Sequence, residues 1–388
     1  MATMTVPRRP LRMHNRVLDY AWGSRSLLAE LRGESASSSP EAEQWMGAHP
    51  AAPSAVLIDG VERRLDVLVR DEPVVTGRHG RVAFLLKLLA AEEPLSLQAH
   101  PTKARAEEGF ARENAEGISL DDPTRSYKDD NHKPELICAI TPFRALSGFR
   151  AIDETIELLE SLRCPELRHF IDALAADPAA STAIQLVEEI LALDDEAGTT
   201  LGSAVAAAVA GDGPFPAERA VARRIAQIHP NDPGIVIALM LELVELAPGE
   251  AIYLGAGRLH AYVDGLGVEI MAASDNVLRG GLTPKHVDVE ELIEVLVPRI
   301  EPIEVLRGDL ADDGERVYRT PAPEFELSRV DLDGRITRTA AGPEILVVTA
   351  GNCRIGDIEV GPTDSCFVPD GVTWTAEGSG QLFRARTP

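Results

Sequence analysis

Cysteine is scarce. Four residues, Cys138, Cys164, Cys353 and Cys366, are scattered over 388 positions with no CxxC pair, which removes the paired-thiol motifs of metal and redox sites. A chain of this length buries a core without disulfides, so reduced, packed thiols are expected. Long apolar runs are also missing: the longest uncharged one, 235–241, falls far short of the roughly 20 residues a membrane span needs. The first residues, MATMTVPRRPLRMHN, carry basic groups but no apolar stretch of a signal peptide. A soluble, cytoplasmic protein with no membrane partner is expected. Positive charge is in short supply, with a net charge of −24; phosphates along any broad contact would be repelled, which argues against nucleic acid. A small anionic ligand stays open, because a pocket needs only local positive charge. Lysine is scarcest of all: Lys87, Lys103, Lys128, Lys133 and Lys285 stand against thirty-three arginines. Either these few mark places where a compact ammonium is needed, or they cluster by chance.

What is present is 45% apolar, enough for one large domain or two to three ordinary ones. Residues 1–150 mix short apolar runs, VAFLLKLLA at 82–90 and ELICAI at 135–140, with turn residues and one helical stretch at 101–113. From 151 to 246 the apolar residues recur at three and four, as in IDETIELLESL and STAIQLVEEILAL, and NDPGIVIALMLELVEL adds a more apolar helix. After 248 strands return, interrupted by a helix at 288–296, and 300–388 holds short runs punctuated by Gly, Pro, Asp and Asn. The expectation is a mainly β protein with an α insertion: a first β domain from 1–150 with 247–299, a helical insertion at 151–246, and a C-terminal β domain at 300–388.

Four polar segments stand out. In PLSLQAHP, a strand at 95–100 would put Ser96, Gln98 and His100 on one face. YKDDNHKPE (127–135) runs straight into an apolar strand opened by Glu135, where a carboxylate is costly unless paired or bound to metal. GRLHAY holds His260, and SDNVLRGGLTPKH holds Asp275, Asn276, Arg279 and Lys285. Two imidazoles, a carboxylate and an amide suit a divalent metal with an open position, zinc first, with manganese, iron or cobalt also able to fit. On spacing alone, satisfied core histidines and a salt-bridged glutamate explain the same residues. No histidine follows His286, so the C-terminal region offers no histidine metal site. His14, His49, His79, His169 and His229 read as structural or surface residues, and Trp22 and Trp45 as packing rather than sugar platforms.

Taken together, PLSLQAHP, YKDDNHKPE, AGRLHAY and ASDNVLRGGLTPKH resemble the signature segments of the type I mannose-6-phosphate isomerases, and NRVLDYAWGS and EQWMGAHP resemble that family's N-terminal segments. The resemblance implies cupin (jelly-roll) barrels with an inserted helical domain and a second, C-terminal barrel. It implies one Zn2+ per chain on Gln98, His100, Glu135 and His260, with Gln-x-His where many cupins have His-x-His. The family's active-site arginine falls on Arg279; Lys87, Ser96 and Lys133 fall on positions of substrate or phosphate contact, and Lys285 lies in the matching TPK segment.

The implied reaction interconverts mannose 6-phosphate and fructose 6-phosphate through a cis-enediol(ate), within mannose metabolism and GDP-mannose biosynthesis. On an extended segment His132 and Lys133 point to opposite faces, and only Lys133 shares the face of Glu135. Lys133 is therefore expected in proton transfer or substrate binding, and His132 in ring opening. Asp275 is expected to orient Arg279 or to act as the base instead, and Lys87 and Ser96 to meet the phosphate. The expected partner is a small sugar phosphate and the expected state a monomer. A non-catalytic sugar-sensing cupin, a metallo-oxygenase cupin and an isomerase preferring free mannose are the competing readings.

Overall fold

Every residue of the strand Phe84–Ala91 is buried, the near-continuous apolar run of a strand covered on both faces. The computed structural model, which describes residues 6–388, shows what covers it. Phe84, Leu86, Leu88 and Ala90 enter a core shared between two sheets; Leu85, Lys87, Leu89 and Ala91 alternate to the other face, with Leu89 and Ala91 in the interior of the first barrel. Strand Glu135–Ala139 divides in the same way, Leu136 and Cys138 to the shared core and Ile137 and Ala139 inward.

The first ten-stranded sheet runs in the order Leu241–Leu246, Phe143–Phe149, His260–Ala272, Phe84–Ala91, Glu43–Met46, Arg16–Leu18, with four short strands branching from it. His260–Ala272 is its spine. Its start pairs with Gln98–Ala99 and Phe143–Phe149, its end with Phe84–Ala91 and Glu135–Ala139. The bend between the halves falls at Gly265, φ +120°, where a Cβ would lie 2.7 Å from the Phe143 ring. Only glycine fits that corner, and the corner folds the sheet over the cavity between its halves.

Six α-helices lie between Ile152 and Met240 and pack on one side of this barrel, with Leu158, Leu174, Ile190, Val205 and Ile225 sharing a core with Leu146, Leu259 and Val263. The insertion ends earlier than its composition suggests. Helix Gly234–Met240 stops and Leu241–Leu246 becomes an edge strand on Phe143–Phe149. Leucine and glutamate favour helix, but the open hydrogen-bonding edge of the neighbouring strand wins.

The second sheet is built on Glu326–Thr339 and Thr373–Arg386, paired without a break from Glu326↔Arg386 to Thr339↔Thr373. It also takes in Leu11–His14, Ala55–Ile58 and Val61–Arg64. Part of the N-terminal region thus belongs to the C-terminal sheet: Leu11 pairs with Phe367 and Met13 with Ser365. Leu11, Met13, Val56 and Ile58 all bury in the shared core, a long-range pairing that no local pattern records. All four cysteines are free and buried.

Candidate metal centre and cleft

Two rows of paired residues face each other across the first barrel. On one wall, Trp45 pairs with Lys87 and Lys87 with Glu269. On the other, Arg279 pairs with Gln98, Gln98 with His260 and His260 with Ser147. Residues from distant parts of the chain are thereby delivered to one space by strand register. The predicted strand at 95–100 shortens to Gln98–Ala99, yet Ser96 and Gln98 still line the same cleft.

His100, Glu135 and His260 bring one ligand atom each to within 4.8 Å of one another. His100 is 3.3 Å from Glu135 Oε1 and His260 3.5 Å from Glu135 Oε2, each through Nε2. Backbone carbonyls fix both rings. Nδ1 of His100 donates to the carbonyl of Asn276 and Nδ1 of His260 to that of Arg258, each at 2.9 Å, which leaves both Nε2 lone pairs for the centre. Burial pushes the His100 pKa down to about 4, so its imidazole is neutral. Burial alone would raise the pKa of Glu135, but Lys133, 2.8 Å away, and His100 hold it well below the usual carboxylate range. His100 Nε2 and Glu135 Oε2 are buried without a hydrogen-bond partner. A neutral imidazole nitrogen and an ionised carboxylate oxygen left unsatisfied in one place, with the second imidazole beside them, fit a divalent cation. The carboxamide of Gln98 stands beside them with its Nε2 3.4 Å from His260 Nε2, and turning it over would present its oxygen to the centre.

Segments 127–135 and 273–276 lock together around this centre. Asn276 accepts from the backbone N–H of Lys128 and donates to the carbonyls of Asp129 and Asn131; Ser274 donates to Asp129. Lys103 and Lys128, for which the sequence suggested no role, brace the same loop through the carbonyls of Asp130 and Leu120.

In front of the centre opens a cleft of roughly 550 Å³, lined among others by Lys133, Glu135, Asp275, Arg279 and Lys285. Arg279 and Lys285 have no ion-pair partner among the described residues, and burial lowers both pKa values, that of Lys285 further through Arg279. Lys87 also lines the cleft, but its ammonium lies 2.8 Å from Glu269 and 3.2 Å from Glu43. Against the cost of burial, these carboxylates keep it protonated. Asp275 meets His49 at 3.3 Å rather than Arg279. His132 is turned to Glu324, 2.6 Å away, and is not among the residues lining the cleft.

The sequence reading missed Glu43, His49, Tyr262 and Glu269, all at or behind this cleft. Glu269 carried a signal, a lone carboxylate inside the apolar strand run GLGVEIMA. His49 carried none.

Fold and centre together define a metal-binding cupin-type protein with a helical insertion. A family model described as phosphomannose isomerase type I, catalytic domain, matches residues 11–152. The mannose-6-phosphate isomerase of Escherichia coli (strain K12) is 36% identical over 387 residues, covering 95% of this chain and 97% of its own. That of Aspergillus fumigatus is 32% identical, covering 91% and 88%. Among solved structures, a zinc-bound mannose 6-phosphate isomerase superposes with TM-score 0.90 at 34% identity, covering 98% and 99%. A lysine-to-alanine variant of phosphomannose isomerase from Salmonella typhimurium gives 0.91 at 33%, with the same coverage. The chain belongs to the type I mannose-6-phosphate isomerase family.

Proposed function

We propose that the chain is a zinc-dependent aldose–ketose isomerase that interconverts mannose 6-phosphate and fructose 6-phosphate through a cis-enediol(ate). The observation that carries this reading is the buried His100–Glu135–His260 group, with two unsatisfied ligand atoms, behind a cleft that holds unpaired cations. Gln98, His100, Glu135 and His260 hold the zinc, which when bound acts as a Lewis acid toward negative charge on substrate oxygen. Arg279, permanently cationic, stabilises the charge that develops and holds the sugar. Lys133, which lines the cleft and pairs with Glu135 at 2.8 Å, takes part in proton transfer or binds the sugar. Asp275 receives a sugar hydroxyl. For the phosphate, the unpaired Lys285 and Arg279 with Ser96 are better donors than Lys87, whose charge is already met by two carboxylates. The contact of His132 with Glu324 gives no support to a ring-opening role, and none is assigned to it.

A monomer remains the expected state. No helix of the described residues is long and apolar enough to cross a membrane, consistent with a cytoplasmic enzyme of mannose metabolism. Strand pairing supports a catalytic unit that spans 16–150 and 241–299 without strands 55–58 and 61–64, a helical insertion at 152–240, and a C-terminal unit joined by 11–14 and those two strands.

The test is a coupled isomerase assay on mannose 6-phosphate after chelation, then with one equivalent of zinc restored. Activity is expected to disappear and return. Inactivity with every divalent metal overturns the reading.

A further inference from the structure

His49 was expected to be structural or on the surface, yet it is buried directly against a cleft residue. Its Nδ1 accepts from the backbone N–H of Ala51 at 3.4 Å, so the proton sits on Nε2, which points at Asp275 Oδ2, 3.3 Å away. The ring stands edge-on to Trp45, centroids 5.0 Å apart. Trp45 in turn donates to Glu43, which contacts Lys87. Asp275 is tied at its backbone as well, where its N–H donates to Asp129 Oδ2 at 2.8 Å. Main chain and one carboxylate oxygen are thus both fixed, while the side chain stays half exposed in the cleft. Burial would raise the pKa of Asp275, but the bond from His49 first, then the charges of Lys133 and Lys87, lower it, so the group is ionised.

We propose that His49 is a positioning residue: by holding Oδ2 of Asp275 it fixes the carboxylate rotamer and leaves Oδ1 to receive a hydroxyl of the open-chain sugar. This rests on the reading of Asp275 as a substrate contact given above. A hydrogen bond to a charged group acts over about 1.5–3 kcal/mol, so releasing Asp275 costs ten- to hundredfold in kcat/KM. The partners of His49 are Ala51, Trp45 and Asp275, none of them a proposed metal ligand, so zinc content is expected to stay unchanged.

The experiment compares His49→Leu and His49→Gln, each in the wild-type and the Asp275→Asn background, in the zinc-loaded enzyme. His49→Leu is expected to lower kcat/KM ten- to hundredfold in the wild type and less than twofold once Asp275 is neutral. His49→Gln, whose amide N–H reaches toward the same oxygen, is expected to restore most of the loss. An undiminished effect of His49→Leu in the Asp275→Asn background shows packing alone and overturns the proposal. Should His49→Leu fail to fold, His49→Gln losing as much activity as Asp275→Asn overturns it equally. Wild-type kcat/KM in Asp275→Asn alone sinks the reading of Asp275 and the proposal with it, while a wild-type chain inactive with zinc points instead to failure of the isomerase assignment.

Discussion

At the scale of single residues, the cleft separates two kinds of cation. Lys87 lies between Glu43 and Glu269, with its charge more than matched by two buried carboxylates. Its ammonium also lies 5.3 Å from the centroid of the Trp45 ring. Arg279 and Lys285 reach the same cleft with no carboxylate partner among the described residues. A phosphate dianion is drawn to unpaired charge and repelled by the surplus carboxylate beside Lys87. Arg279→Met and Lys285→Met are therefore each expected to raise KM for mannose 6-phosphate about tenfold or more. Turnover of free mannose should be unaffected by Lys285→Met. Lys87→Met leaves two carboxylates buried and uncompensated, which typically costs about 3–5 kcal/mol. That variant should lose stability in urea, and a further Glu269→Gln change should recover part of it. A Lys87→Met enzyme of normal stability but with a phosphate-specific rise in KM would return Lys87 to the phosphate site.

At the scale of elements, the metal loop is held from outside by one carboxylate. Glu291, on helix Val289–Val295, receives Arg105 at 2.6 Å and Arg112 at 2.7 Å from helix Lys103–Ala115, and the hydroxyl of Tyr127 at the start of the loop. Burial would raise its pKa, but Arg105, Tyr127 and Arg112 hold it below its usual 4.5. A depressed folded-state pKa contributes stability above the unfolded value and loses it as pH falls through the folded one. Stability should therefore fall with acid from about pH 4.5 downward, and Glu291→Gln should be less stable at neutral pH with a flatter acid profile; an unchanged profile in thermal unfolding would remove Glu291 from that role. The sequence showed much of this level. Helix 288–296 was read within one residue of Val289–Val295, because its apolar spacing is local. The motif segments named Gln98, His100, Glu135 and His260 before any geometry, and the structure gathers His100, Glu135 and His260 within 4.8 Å of one another. Glu43 and Glu269 escaped because their meaning comes from register with Leu89 and Lys87, a property of three strands at once.

At the scale of the molecule, the two sheets share a core, and this long-range fact is the least visible in the sequence. Phe84, Leu136 and Val268 of the first barrel pack in one cluster with Phe367 and Phe383 of the second. Leu136 immediately follows Glu135 of the candidate metal centre, so the second barrel backs the strand that presents the carboxylate. The C-terminal barrel, with no histidine after His286, then contributes to the centre by packing rather than by ligands. It also has a private core, in which Val348, Ile355 and Trp374 make no part of the shared cluster. The two cores separate the effects. Phe383→Ala should cost about 3–5 kcal/mol and, in the folded protein, also weaken zinc retention against a chelator, because the backing of Glu135 loosens. Val348→Ala removes buried volume from the private core and should lower stability while leaving zinc retention as it was. Both quantities come from one pair of measurements, chemical denaturation and zinc release under native conditions. Equal zinc release from the two variants, at matched stability, would mean that the second barrel acts on the centre only through global unfolding.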